Sequence, residues 1–417
     1  MTMKAISVRI GGQAFLGAID QAVLAAAHFM LGVLVGRLGG VAALGGFAFA
    51  YSLIVLVNML HTAVIAEIYS VEPGTAEGMR RHGAWPIVLV TSLLVMGATG
   101  LLGVVSLFST DVRATAWSPA FMSALLLSTC YWSVKPLFYR QGRPFVVLGS
   151  TLLYGAVALA TAWAGYHWKS AAWQPLWSIA AGALVASTPM WCAVKRMEPG
   201  WAAHLSHYLC VTWRYAKWAV PAAVLIWINS NGYLFAMPLY RGAEETGGLR
   251  AVLNVMAPIN TLLVGACTAW LPMLADMQRT QDASAYRRTI HRTALGAMAL
   301  TCVGACIVFP LSASLIGAIY GKAFLAYADA LRIAAWLPAL WVAASIYRAA
   351  IRAQANARDL CRVYAMALLP VGIGLMIFLS PYGAVAAVKG MLATQLLVVV
   401  AFIYVFQRQS GPDRRPA

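Results

Sequence analysis

A few ionisable residues stand in stretches that are otherwise apolar, and any binding chemistry has to start from them. Asp20 lies in an apolar run over about 13 to 35, and Lys389 interrupts the uncharged stretch between Arg362 and Arg408. Arg332 shares the run from about 327 to 350 with Asp329 and Arg348, while Arg37 and Arg250 border two further runs. An unpaired charge facing lipid costs on the order of 3 kcal/mol on insertion scales, so such groups are expected to meet a partner, a ligand or water. Lys389 and Arg332, then Arg37 and Arg250, are candidates for contact with an anion, and Asp20 is a further candidate for a functional role. Plainer readings stand beside these. Arg37 and Arg250 can snorkel to an interface, and Arg332 can pair with Asp329 one turn earlier. Lys389 has only Ala387, Val388, Gly390 and Met391 beside it, none of them a carboxylate.

Uncharged polar residues add stripes at helical spacing. Gln13, Gly17, Asp20, Gln21, Leu24 and His28 share one face of the first span. Tyr51, Val55, Asn58 and Thr62 share one face of the second, and Arg250, Asn254, Thr261 and Thr268 do so in the eighth, with Asn260 between them. The Asn229-Ser230-Asn231 cluster lies in the seventh. Such residues line cavities or hydrogen-bond helices to one another, and the sequence leaves both open. Chemistry of other kinds has no support. There is no GxxxxGK[ST] phosphate loop, and the seven cysteines have no CxxC or Cys/His ligand spacing, so they read as apolar fillers. No cofactor or metal is expected.

The elements that must position these residues are membrane spans. Hydrophobic residues make up 61% of the 417 and charged residues 10%, with mean hydropathy +0.75. A soluble domain carries roughly 25% charged residues. Runs long enough to span, about 20 residues, recur throughout, and Ser380-Pro381-Tyr382-Gly383 divides the last stretch in two. The expected fold is therefore an all-α polytopic membrane protein of about 12 spans. The first span follows Met1 to Arg9 without a small-residue cleavage site and is expected to stay.

The net charge of +17 sorts by side of the membrane. With a cytoplasmic N-terminus, 22 of the 30 Lys and Arg fall on inner segments, including Arg80, Lys135, Arg140, Arg214, Arg287 and Arg358. Both termini are thus expected to be cytoplasmic, and most of the charge is topology rather than nucleic-acid binding. Outer connections are short and offer only Asp111, Glu244, Glu245 and Asp329, which disfavours an enzyme such as a polymerase or ligase.

The chain also repeats. Residues 37 to 67 and 241 to 272 each begin with Arg, reach a glycine pair (Gly45-Gly46 and Gly247-Gly248) and start a span, at an offset of 202 that sets Asn58 opposite Asn260. The glycine pairs are expected to make the turns. Six spans per half give two six-helix bundles, 1–206 and 207–417, related by a parallel pseudo-two-fold repeat, a transporter arrangement.

Three passages carry a resemblance to a family: LGVLVGRLGGVAALGGFAFAYSLIVLVNML at 31–60, LSASLIGAIYGKAFLAYADALRIAAWLPAL at 311–340 and LSPYGAVAAVKGMLATQLL at 379–397. The chain resembles the polysaccharide flippases of the multidrug/oligosaccharidyl-lipid/polysaccharide exporter (MOP) superfamily, which move O-antigen and exopolysaccharide repeat units. The resemblance implies a polyprenyl-diphosphate-linked oligosaccharide as substrate and membrane lipid as surroundings. It further implies alternating access in a bacterial cytoplasmic membrane, and a basic cavity to which Arg37, Arg250, Arg332 and Lys389 correspond by helix position. Other polysaccharide assembly proteins are possible partners. A drug or cation antiporter of the same superfamily is the alternative, with Asp20 as the coupling carboxylate. The peptidoglycan-precursor flippase of that superfamily usually has two more helices. A major-facilitator carrier fits poorly, because YSVEPGTAEGMRRHGA, between the second and third spans, lacks its Asp-Arg pair.

Overall fold

The computed structural model describes residues 3–66, 92–93, 96–97, 118–168, 175–193, 201–280, 283–353 and 357–409. The helices are α1 (Met3–His61), α2 (Pro119–Arg140), α3 (Pro144–His167), α4 (Leu176–Ala193), α5 (Trp201–Thr280), α6 (Ala283–Tyr320), α7 (Ala328–Ala334), α8 (Leu337–Ala353) and α9 (Ala357–Gln409). A π-helical turn, Thr62–Ala66, follows α1, and a 3-10 turn, Lys322–Tyr327, precedes α7. There is no strand among the described residues, as expected where backbone groups must satisfy one another without water. Six of these helices are long and apolar enough to cross a membrane, or up to seven if the bent pair Lys322–Ala334 and Leu337–Ile351 is one span. The expected third span, between Arg81 and Asp111, lies almost wholly outside the described residues.

Three helices are too long for one span, and a glycine breaks each of them. Gly40 (φ 82, ψ −177) interrupts α1, Gly242 (φ 80, ψ −176) interrupts α5, and Gly383 (φ 57, ψ −137) interrupts α9. Positive φ is where a side chain is strained and glycine is not. The chain folds back at two of these breaks: Tyr51 meets His28 at 3.0 Å across Gly40, and the rings of Tyr364 and Phe402 lie 5.5 Å apart across Gly383. The division expected at Ser380–Gly383 is therefore present. The turns expected at Gly45-Gly46 and Gly247-Gly248 are not: the chain turns five residues earlier, at Gly40 and Gly242, and both pairs lie within helix.

The chain clusters into two compact units, Met1–Gly39 with Gly46–Trp227, and Gly40–Gly45 with Ile228–Ala417. In the first, α4 packs on α2 and α3 through small residues. A Cβ on Gly182 would meet the Tyr154 carbonyl oxygen at 2.8 Å, and the Ser150 hydroxyl donates to the Ala186 carbonyl at 2.8 Å. Lipid tails supply no hydrophobic drive between spans, so close approach of this kind holds them together. In the second unit α8 packs on α6 and α9.

The short segment 40–45 joins the second unit by backbone contact. A Cβ on Gly45 would overlap the Ala243 carbonyl, and one on Gly247 would overlap the Val41 carbonyl. Ala243 and Gly247 stand 202 positions after Val41 and Gly45, so the contact is reciprocal. Gly45 and Gly247 thus serve close approach rather than turning.

Candidate functional site

The most elaborate polar centre lies in the first unit around Asp20. Its side chain is fully buried on α1, and the Lys135 Nζ of α2 sits 2.8 Å from Oδ2. The Tyr139 hydroxyl donates to the same oxygen at 2.8 Å, and the Thr151 hydroxyl of α3 bonds to Oδ1. Lys135 also donates to Thr151 Oγ1 at 3.0 Å, and the Tyr131 hydroxyl pairs with that oxygen at 2.7 Å. Tyr131, Lys135 and Tyr139 are spaced four residues apart, which puts them on one face of α2. The helix continues through Pro136 to Arg140, so Lys135 is carried inside the bundle. A buried carboxylate is tolerable only when paired and hydrogen-bonded, and this one has a built-in ammonium and two hydroxyl donors.

Eight residues further along α1, His28 makes a second node. Its Nε2 pairs with the Tyr154 hydroxyl at 2.9 Å and its Nδ1 with the Tyr51 hydroxyl at 3.0 Å. A neutral imidazole donates through one nitrogen and accepts through the other, so both contacts can be satisfied. Tyr154 stacks on Tyr131, with centroids 5.4 Å apart and planes 4° from parallel, which links the two nodes. The polar stripe of the first span therefore divides. Asp20 and His28 are engaged in the unit, and Gln21, though exposed, donates through Nε2 to Asp20 Oδ2 at 3.4 Å. Asn58 is half-buried.

The remaining candidates belong to the second unit, apart from Arg37, which is exposed three residues before the Gly40 turn. Arg250 is half-buried on α5, close enough to the Tyr320 hydroxyl for its charge to act there, and Asn254 one turn on donates to the same hydroxyl at 2.6 Å. Asn260 is helical, and its side chain lies outside the described residues. Arg332 Nη1 meets Asp329 Oδ1 at 2.6 Å, with the two side chains 42% and 71% exposed, so the local pair forms. Lys389 is exposed on α9 and has no ion-pair partner among the described residues. In the Asn cluster of the seventh span, Asn229 is buried and accepts from Gln395 Nε2 of α9 at 2.7 Å.

Lys135 is the residue that sequence reasoning misplaced. Bounding spans by charged residues puts Lys135 at the inner end of the uncharged run from Arg113, whereas α2 runs on past it to Arg140. The available signal was the pair of tyrosines at i−4 and i+4, which form a polar face opposite Asp20.

No protein-family model matches the chain, and no curated protein matches it. Solved structures do. The lipid II flippase MurJ in an inward closed conformation superposes with TM-score 0.68 at 12% identity, covering 96% of this chain and 87% of that one. An inward-facing multidrug resistance MATE family transporter of the MOP superfamily gives 0.72 at 10% identity, with 94% and 98% covered. A MOP superfamily transporter from Pyrococcus furiosus, described as having a binding pocket of reverse polarity, gives 0.66 at 12% identity, with 96% of both chains covered. The protein thus has the two-lobed, all-α fold of MOP-superfamily transporters. At these identities the likeness concerns the fold.

Proposed function

We propose that the protein is a membrane transporter that flips polyprenyl-diphosphate-linked oligosaccharide repeat units across a bacterial cytoplasmic membrane by alternating access. The observation that carries this over the antiporter reading is the Lys135–Asp20 pair at 2.8 Å. A coupling carboxylate has to exchange a proton or cation, and here an internal ammonium occupies that role while Tyr139 and Thr151 each donate to one of the carboxylate oxygens. The antiporter reading keeps one observation in its favour: a fully buried carboxylate in the first span with a polar shell. Lys389, exposed and without an ion-pair partner among the described residues, supports an anionic substrate, with Arg37, Arg250 and Arg332 as further contributors and Asn58 and Asn260 as polar lining. The lipid diphosphate is the group these cations would neutralise.

The test is the location of lipid-linked repeat units in cells carrying Lys389→Ala with Arg332→Ala. At normal membrane levels, the double variant is expected to accumulate them on the cytoplasmic leaflet. Wild-type export would remove both residues from the mechanism. Transport of a cationic drug that follows an imposed proton or sodium gradient and is lost in Asp20→Asn would establish the antiporter instead.

A further inference from the structure

The chain passes between the two units at three places. One is the turn at Gly39-Gly40, and the other two lie inside helices, between Gly45 and Gly46 in α1 and between Trp227 and Ile228 in α5. At the Gly45–Gly46 crossing the second span is anchored on both sides. Before it, residues 41–45 belong to the second unit, where Gly45 lies against the Ala243 carbonyl and the Val41 carbonyl against Gly247. After it, the span is tied into the first unit. The Phe47 ring stacks on that of Tyr51 at 5.8 Å, the Tyr51 hydroxyl pairs with His28 at 3.0 Å, and Trp227 Nε1 donates to the Ser52 carbonyl at 2.8 Å. Relative movement of the units has to be taken up in this span between the two sets of anchors, which leaves Gly46.

Packing accounts for the other three glycines of the two pairs and not for this one. Gly45 and Gly247 approach carbonyls, and a Cβ on Gly248 would overlap the Tyr327 ring. Gly46, 202 residues before Gly248, is helical and exposed, and a Cβ on it would meet nothing within 4 Å among the described residues. A glycine inside a helix weakens it, because its backbone has more freedom to lose. With no close approach to serve, what Gly46 supplies is a weak point in the helix, and weak points of this kind are where long helices bend. The crossing inside α5 has the same character. It is followed at once by Asn229-Ser230-Asn231-Gly232, four residues of low helix propensity in a row.

We propose that Gly46 is a hinge at which the second span bends as the two units move. This rests on alternating access and on no particular substrate. The test is pulsed electron double resonance on the full chain in lipid nanodiscs, with its seven cysteines replaced by alanine and spin labels at Gln141→Cys and Arg288→Cys, exposed positions in the first and second unit. The labelled chain is expected to give two separations. Gly46→Ala is expected to change their ratio by about fivefold toward the conformer whose span is unbroken at 46, the factor that matches the helix preference of alanine over glycine. Ala42→Gly, an exposed position inside the anchored segment, is expected to leave the ratio unchanged. Two separations in a ratio that Gly46→Ala does not move would overturn the hinge and leave alternating access standing. An equally large shift from Ala42→Gly would reduce the effect to general helix propensity and overturn the hinge as well. A single separation with Gly46 in place would overturn alternating access, and the hinge with it.

Discussion

Replacing Lys135 with methionine keeps most of the side-chain volume and removes the charge that balances Asp20. At the 2.8 Å separation and an effective dielectric of about 20, the Coulomb attraction is about 6 kcal/mol before desolvation is subtracted. Removing one partner of a buried pair typically costs about 3–5 kcal/mol, because the other charge is left uncompensated. Tyr139 and Thr151 still donate to Asp20 in the variant, which places the expected loss toward the lower end of that range. Asp20→Asn should cost a similar amount by stranding the ammonium. Asp20→Asn combined with Lys135→Met should cost much less than the sum, giving a coupling energy of about 3 kcal/mol. Unfolding equilibria of the four proteins in mixed detergent–SDS micelles measure this cycle. Single losses that add within about 0.5 kcal/mol, the usual range for independent sites, would refute the pairing and with it the argument against ion coupling through Asp20.

Gly247→Val should sharply reduce folded protein, since its Cβ would overlap the Val41 carbonyl, whereas Gly46→Ala, with nothing within 4 Å, should behave as wild type in size-exclusion yield. Glu245→Ala should lower stability by about 1 kcal/mol, the usual cost of a lost helix cap, because the Ala384 N–H loses its 2.8 Å acceptor; equal melting temperatures would refute this. Arg287→Cys should be protected from an impermeant thiol reagent in intact cells. Strong labelling would reverse the cytoplasmic assignment of that end and of both termini.

Most span limits among the described residues were legible because charge is so scarce in this chain, Lys135 inside α2 being an exception. The 202-residue repeat was legible too, and the matching φ and ψ at Gly40 and Gly242 show the offset in the backbone. Which glycine turns and which packs could not be read from the sequence, because both tasks ask for the absence of a Cβ. The Asp20 centre was half legible. A carboxylate in a span announces itself, but its partner arrives from a helix more than a hundred residues away and resembled a loop lysine. Arg332 illustrates the opposite case: its partner is local, three residues earlier, and spacing alone found it. Asn254 and Asn229 proved to bond other helices, a choice between glue and lining that depends on neighbours in space.

The reciprocal contact of Gly45 with Ala243 and of Gly247 with Val41 constrains how the two copies of the repeat can drift apart. Most packing conflicts can be relieved by a compensating change in the neighbouring side chain. Here the neighbour is a main-chain carbonyl, present whatever residue supplies it, so no second substitution at 41 or 243 could make room. At these two positions each copy holds the other to glycine through its main chain.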